Sequence, residues 1–141
     1  MQTLVIGYGN TLRGDDGVGY CIAEQIEAWQ IPTMKAIACH QLTPDLAAEI
    51  AEYDRVFFVD ATLPGTHQSV TIQPLLPSET PASQTHHSTP ASLLTLTKTL
   101  YQAYPEAYQI LIPTVTMDFG ETLSERTEQA MQQALQQLCD R

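Results

Sequence analysis

Apolar residues along this chain recur in two patterns, one typical of buried strands and the other of amphipathic helices. Short apolar runs bounded by turn-forming residues predict four strands, at residues 4–6, 34–39, 55–60 and 107–113. The third of these runs is apolar along almost its whole length, as expected for a strand covered by helices on both faces. Residues 68–75 alternate between apolar and polar positions and contain Pro74, which predicts a further strand at a sheet edge.

Helical spacing of apolar residues separates these strands. A helix is predicted from about residue 15 to residue 29, and others begin at Thr43-Pro44 and Thr89-Pro90, where threonine can cap a helix and proline suits its first position. A last helix covers residues 123–139. The residues predicted to face the core on the first, third and fourth helices are Val18, Ile22, Ile26 and Trp29; Leu93, Leu96, Leu100 and Tyr104; and Met131, Leu135 and Leu138.

Strands and helices therefore alternate in the order βαβαββαβα. This order predicts an α/β fold, a three-layer α-β-α sandwich in which a mostly parallel, five-stranded twisted sheet carries helices on both faces. No repeat or long linker divides the chain, so residues 1–141 are expected to form a single domain. Residues 77–85, rich in Pro, Ser and Thr, are predicted to form a loop.

Composition narrows the classes of partner. Sixteen acidic residues against six basic ones give a formal net charge of −10, which argues against binding to nucleic acid or to an anionic membrane surface. No apolar run approaches the roughly 20 residues of a membrane span, and residues 1–6 are expected to form a strand instead of a signal peptide. Three cysteines, an odd number without metal-like spacing, favour a reducing cytoplasm.

Three polar side chains are predicted to meet at one edge of the sheet. Asp16 lies at the start of the first helix, Asp60 ends the strongest strand, and His86 lies in the loop before the third long helix. In such sheets the functional crevice lies beyond the carboxyl ends of the strands. Two carboxylates and one imidazole would form a metal site with open positions, at which a metal ion or a carboxylate could activate water.

Each of these residues also has a simpler interpretation. Asp15 and Asp16 could supply the negative charge that helix N-termini favour, Asp60 could cap a turn, and a histidine in a polar loop could simply be solvated. Their shared edge is what favours a joint role.

The Gly7-Tyr8-Gly9 turn after the first strand also suggests a dinucleotide-binding site. Leu12, however, occupies the position of the third glycine in that fingerprint, and Asp15 and Asp16 stand where a pyrophosphate would bind. A nucleotide-binding enzyme is therefore the disfavoured alternative. Nucleophilic catalysis lacks support as well, because the chain has no Gly-x-Ser-x-Gly elbow.

Two segments of the chain resemble a known family. Residues 7–19, Gly-Tyr-Gly-Asn-Thr-Leu-Arg-Gly-Asp-Asp-Gly-Val-Gly, resemble the N-terminal signature of the hydrogenase maturation endopeptidases. Residues 57–61, Phe-Phe-Val-Asp-Ala, look like that family's second signature, an apolar strand ending in Asp-Ala. Residues 40–46, His-Gln-Leu-Thr-Pro-Asp-Leu, resemble a segment of the subgroup that serves bidirectional, NAD(P)-linked hydrogenases; His40 could line the cleft or only brace its loop.

The resemblance implies that Asp16, Asp60 and His86 bind nickel and that Asp16 and Asp60 are the catalytic carboxylates, either of which could act as a general base. His87 adjoins His86 and is the alternative ligand. The family's ligand precedes a leucine by a fixed distance, and counting back from Leu94 favours His86.

The family removes a short C-terminal extension from the large subunit of a nickel–iron hydrogenase after nickel insertion. The resemblance therefore implies a cytoplasmic endopeptidase whose partner is the nickel-loaded large-subunit precursor. The nickel would be borne by that substrate, so the isolated protein could be metal-free. The alternative is a non-enzymatic nickel-binding assembly chaperone for the large subunit, with the same metal site and no cleavage.

Overall fold

Strands and helices alternate along the chain in a computed structural model, which describes residues 1–77 and 88–140. The elements are β1 (Thr3–Tyr8), a 3-10 turn (Gly14–Gly17), α1 (Val18–Trp29), β2 (Met34–Cys39), α2 (Leu46–Ile50), β3 (Arg55–Ala61), β4 (Thr71–Pro74), α3 (Pro90–Tyr101), β5 (Glu106–Ile112) and α4 (Glu125–Cys139). The loop predicted over residues 77–85 falls, except for Pro77, outside the described residues.

The five strands form one sheet in the order β2-β1-β3-β5-β4. β1 pairs in parallel with β2 and with β3, and β3 pairs in parallel with β5. β4 is antiparallel to β5 and lies at the edge of the sheet, where a proline is tolerated; Pro74 is its last residue and stands opposite Tyr108. The prediction of a mostly parallel five-stranded sheet with an edge strand before the third long helix is therefore confirmed.

Helices cover both faces of the sheet, and each face has its own core. Phe57 and Phe58 are neighbours in β3, and both are fully buried because successive side chains of a strand point to opposite faces. Phe57 belongs to the core beneath α1 and α4, and Phe58 to the core beneath α2 and α3. The three-layer prediction is thus confirmed. In the described part of the chain no helix is long and apolar enough to cross a membrane.

The third long helix departs from its predicted register. Thr89 and Ser92 form the expected capping box at its start, but the buried residues are Leu93, Leu94 and Thr97. Leu100 is 60% exposed. The helix ends at Tyr101, and its C-cap Gln102 adopts a left-handed conformation, so Tyr104 lies beyond the helix and is 71% exposed. The predicted stripe is therefore confirmed at Leu93 and wrong at Leu100 and Tyr104, because the helix also packs on Leu94 and Thr97 and ends before Tyr104.

The first helix also begins differently from the prediction. Residues 14–17 form a 3-10 turn that holds Asp15 and Asp16, and the α-helix starts at Val18. Trp29, at its other end, is 43% exposed, so the apolar face ends at Ile26.

The chain reverses direction across the sheet between β1 and β3. From β1 it passes through α1 to β2 on one side, and then crosses to β3 on the other side of β1. Such a switch point opens a crevice beyond the carboxyl ends of the two central strands. Gly7 pairs with Val59, so Tyr8 and Asp60 follow side by side at the mouth of this crevice.

The backbone of α1 lies directly against these two strands. A Cβ atom added to Gly7 would stand 1.9 Å from the carbonyl oxygen of Gly19, and one added to Gly19 would stand 2.5 Å from that of Val59. Two glycines are therefore required for the helix to lie this close to the sheet.

We expect Gly19→Ala to lower the free energy of unfolding by about 2 kcal/mol, because the added methyl group meets backbone atoms that cannot move independently. The matched control is Gly120→Ala, since a Cβ at Gly120 has no neighbour within 4 Å. Urea unfolding of both variants checks this prediction, and equal stability of the two would contradict the close approach.

Candidate functional site

A pocket of about 240 Å³ opens at the crevice beyond β1, β2 and β3. It brings Asp16 and Asp60 together, two of the three site residues predicted from the sequence. The pocket is lined by Tyr8, Gly9, Asp16, His40, Gln41, Leu42, Asp60 and Ser88.

The loop after β1 holds the carboxylate of Asp16 in place. The backbone N–H of Asn10 donates to Oδ2 of Asp16 over 2.9 Å. Gly9, with a φ of +150°, lies so close to the turn that an added Cβ would stand 1.9 Å from the carbonyl oxygen of Asp16. A glycine at this position therefore lets the loop fold back onto Asp16.

Asp60 is a half-buried carboxyl group at the end of β3. Burial raises its pKa to about 6, and the nearby charge of Asp16 raises it too. Hydrogen bonds from the Tyr8 hydroxyl and the Ala61 backbone N–H act in the opposite direction, because they favour the charged carboxylate. The result is a carboxylate that takes up a proton close to neutral pH.

Tyr8, which the sequence reasoning did not single out, is the hydrogen-bonding neighbour of Asp60. Burial raises the pKa of its hydroxyl, followed by the charge of Asp60 and the hydrogen bond to it. Tyr8 also hydrogen-bonds with the side chain of Gln109, whose Oε1 accepts from Gln73 Nε2 over 3.4 Å. The only sequence signal for Tyr8 was its place between two glycines at a strand end.

Asp15 has a different role from Asp16, its neighbour in the sequence. It is fully buried, and its carboxylate accepts from the backbone N–H groups of Val115, Thr116 and Ser124 over 2.7–3.1 Å and from the Ser124 hydroxyl over 2.8 Å. Burial alone would raise its pKa, but these hydrogen bonds outweigh burial and lower it. Asp15 therefore fixes the segment between β5 and α4. Its role is not limited to placing a negative charge at the start of a helix.

The nitrogen ligand of the predicted metal site is not placed, because His86 and His87 lie outside the described residues. Ser88, which follows them in the sequence, lines the pocket. His40 also lines it, with its ring centroid 5.3 Å from that of Tyr20. Among the residues described, no group of three His, Cys, Asp or Glu side chains is arranged to hold a metal ion.

The carboxylate oxygens of Asp16 and Asp60, which line the same pocket, are donors of the kind that bind divalent first-row metals.

Solved structures with the same fold include the hydrogenase maturating endopeptidase HybD from E. coli, with a TM-score of 0.76 and 21% identity over 98% of this chain and 90% of that one. The NiFe hydrogenase maturation protease HycI from Thermococcus kodakarensis KOD1 matches with a TM-score of 0.79 and 22% identity over 99% and 90%. The hydrogenase 2 maturation peptidase from Thaumarchaeota archaeon SCGC_AB-539-E09 matches with 0.69 and 22% over 99% and 97%.

The chain therefore shares its fold, over nearly its whole length, with hydrogenase maturation proteases. No protein-family model and no curated protein matches the chain.

We expect Asp15→Asn to lower the free energy of unfolding at neutral pH by about 3 kcal/mol, because an amide cannot accept all the hydrogen bonds that the buried carboxylate accepts. The control, Asp140→Asn on the exposed end of α4, should change it by less than about 0.5 kcal/mol. Since the pKa of Asp15 is lowered in the folded state, its stabilising effect persists until the pH falls below the ordinary range of an aspartate, about 4. Denaturant titrations at several pH values measure this, and a stable Asp15→Asn variant would contradict it.

We expect two substitutions to move the pKa of Asp60 from about 6 in opposite directions. Tyr8→Phe removes a hydrogen bond to the carboxylate and should raise it; Asp16→Asn removes a neighbouring negative charge and should lower it. NMR titration of the Asp60 carboxyl carbon measures both shifts. Shifts of the same sign would contradict either the hydrogen bond from Tyr8 to Asp60 or the effect of the Asp16 charge on Asp60.

Proposed function

We propose that this chain is an endopeptidase that removes the C-terminal extension of a nickel–iron hydrogenase large-subunit precursor. The observation that carries the proposal is the meeting of Asp16 and Asp60 in one pocket at the switch point of the sheet. Residues 7–19 and 57–61, which resemble the signatures of the maturation endopeptidases, supply these two carboxylates. The fold shared with maturation proteases supports the same function.

The nickel belongs to the substrate in this proposal. Asp16 and Asp60 bind nickel that the precursor already holds, and His86 is the third ligand from this chain. Ser88, which follows His86 and His87 in the sequence, lines the same pocket and supports a ligand from this histidine pair; the spacing to Leu94 favours His86. Such a site binds a loaded precursor in preference to an empty one, because two or three ligands satisfy only part of the metal's coordination.

Asp16 and Asp60 are also the proposed catalytic carboxylates. Without a metal, burial raises the pKa of Asp60 to about 6, but a bound nickel ion would lower it, so the base is a carboxylate oxygen that does not hold the metal. As the oxygen of a water molecule forms a bond to the scissile carbonyl carbon, the water's proton passes to such an oxygen of Asp16 or Asp60. The carbon–nitrogen bond then breaks, and the leaving amine takes up the proton.

We also propose a location and a class for the precursor, each supported by one further feature. The free cysteines of the described chain, Cys21, Cys39 and Cys139, suit a reducing cytoplasm. His40, Gln41 and Leu42 line the pocket, and their segment resembles that of the subgroup serving bidirectional, NAD(P)-linked hydrogenases. We therefore assign the precursor to that class.

We expect Asp16→Asn and Asp60→Asn each to slow cleavage of the nickel-loaded precursor by at least about a hundredfold while leaving the protein folded. Mass spectrometry of the precursor after incubation with the purified chain measures the loss of its extension. Asp140→Asn, an exposed residue outside the pocket, is the control and should cleave at the wild-type rate.

The same assay separates the remaining assignments. His86→Ala should stop processing, and His87→Ala should not; the reverse result would make His87 the ligand. Normal processing by both carboxylate variants would refute the proposed site. A wild-type chain that binds the precursor and never changes its mass would instead be the nickel-binding assembly chaperone.

A further inference from the structure

Large apolar side chains are exposed on the loops that follow β1, β3 and β5. Leu12 is 44% exposed, Leu63 69%, Val115 51% and Phe119 88%. We call these four residues the apolar rim. Exposed apolar residues grouped at one end of a protein are typical of a surface that binds another molecule.

Hydrogen bonds join the loops that carry the apolar rim, two between backbone groups and one from a side chain. The N–H of Gly120 donates to the carbonyl oxygen of Leu12 over 2.8 Å, and the N–H of Gly14 donates to that of Gly120 over 2.8 Å. The Thr114 hydroxyl donates to the carbonyl oxygen of Thr62 over 2.8 Å, next to Leu63. The three loops are therefore neighbours, and their apolar side chains share one edge of the molecule.

A buried charge holds part of this surface in place. The carboxylate of Asp15 accepts the backbone N–H groups of Val115 and Thr116, so the Val115 side chain is presented outward from a fixed backbone. A surface ordered before binding loses less conformational entropy when a partner binds. The part of the apolar rim at Val115 thus has the ordered backbone expected of a docking surface.

The apolar rim continues from the candidate active site along the same loops. Leu12 lies between Asn10 and Asp16, which are joined by a hydrogen bond, and Leu63 is the third residue after Asp60. The pocket and the apolar rim therefore lie at the same edge of the sheet, on loops that follow the same strands.

The charges beside the apolar rim are mainly negative. Within residues 9–13, 61–66 and 113–121, the charged side chains are Arg13, Asp118 and Glu121. Asp118 and Glu121 flank Phe119, and the carboxylates of the pocket add to the negative potential. Charge complementarity therefore favours a partner that combines apolar and basic side chains.

We propose that the apolar rim binds the segment of the precursor polypeptide next to the scissile bond, through apolar side chains that pack on Phe119 and Leu63 and a basic side chain that meets Asp118 and Glu121. This inference rests on the proposed function, because an endopeptidase must hold the chain beside the bond that it cleaves.

The test compares variants of the apolar rim with variants of equally exposed apolar residues elsewhere. Phe119→Ala is matched with Tyr104→Ala, and Leu63→Ser is matched with Leu100→Ser. Both control residues are exposed and lie away from the apolar rim: Leu100 is in the last turn of α3, and Tyr104 follows that helix. Initial cleavage rates at several precursor concentrations give KM and kcat. Biolayer interferometry gives the Kd for the nickel-loaded precursor, and this measurement does not depend on cleavage.

We expect Phe119→Ala and Leu63→Ser each to raise KM and Kd about tenfold and to leave kcat within about twofold, because exposed aromatic and aliphatic anchors contribute to binding and not to the reaction. Tyr104→Ala and Leu100→Ser should match the wild type. Unchanged Kd in both rim variants, or a fall in kcat at unchanged KM, would overturn the proposal.

The charged part of the surface is tested by Asp118→Asn combined with Glu121→Gln. This variant should raise Kd about threefold at low ionic strength, and the difference should vanish at high salt. An unchanged Kd at low salt would remove the basic side chain from the proposal.

If wild-type self-association is abolished by Phe119→Ala while precursor binding is kept, the apolar rim is a dimer interface and the proposal is wrong.

Failure of the proposed function would give a different result. A wild-type chain that binds the precursor without cleaving it refutes the peptidase, while the Kd comparison between Phe119→Ala and Tyr104→Ala still decides whether the apolar rim binds that precursor.

Discussion

The contact between the backbone of the first long helix and the backbones of the two central strands determines where the candidate site lies. It is possible only because Gly7 and Gly19 lack side chains: a Cβ on either would overlap a carbonyl oxygen of the facing backbone. The contact brings the turn that carries Asp16 over the ends of β1 and β3. Since β3 ends on Asp60, the two carboxylates share one pocket. The glycines that suggested a phosphate-binding turn are explained by this packing instead.

The adjacent residues Asp15 and Asp16 have different surroundings at this edge of the sheet. Asp15 points into the protein, where four hydrogen bonds compensate for the burial of its charge and hold the segment before α4. Asp16 points into the pocket, held by the N–H of Asn10. One turn of chain thus supplies a buried structural charge and a charge that lines the pocket, and the first of these fixes the loop that carries Val115.

The order of elements, the parallel sheet and the edge strand could be predicted from the sequence, because they follow from apolar periodicity and from the position of Pro74. The placement of Asp16 and Asp60 could also be predicted, because parallel strands end at the same edge. The hydrogen bond between Tyr8 and Asp60 could not, since it depends on the pairing register of β1 with β3. The hydrogen-bond partners of Asp15 could not be predicted either, because Val115 and Ser124 lie about a hundred residues away in the chain. Leu93 was correctly predicted to face the core, but the later part of the α3 stripe was mispredicted, because spacing alone does not show that Leu94 and Thr97 are also buried or that the helix ends at Tyr101.

Omitting the nickel tests whether the two carboxylates recognise nickel carried by a precursor that the chain then cleaves. The purified chain is incubated with the same precursor in nickel-loaded and nickel-free form, and intact masses are measured over time. We expect only the loaded precursor to lose its C-terminal extension. An unchanged mass for both forms, or equal cleavage of both, would refute nickel recognition followed by cleavage.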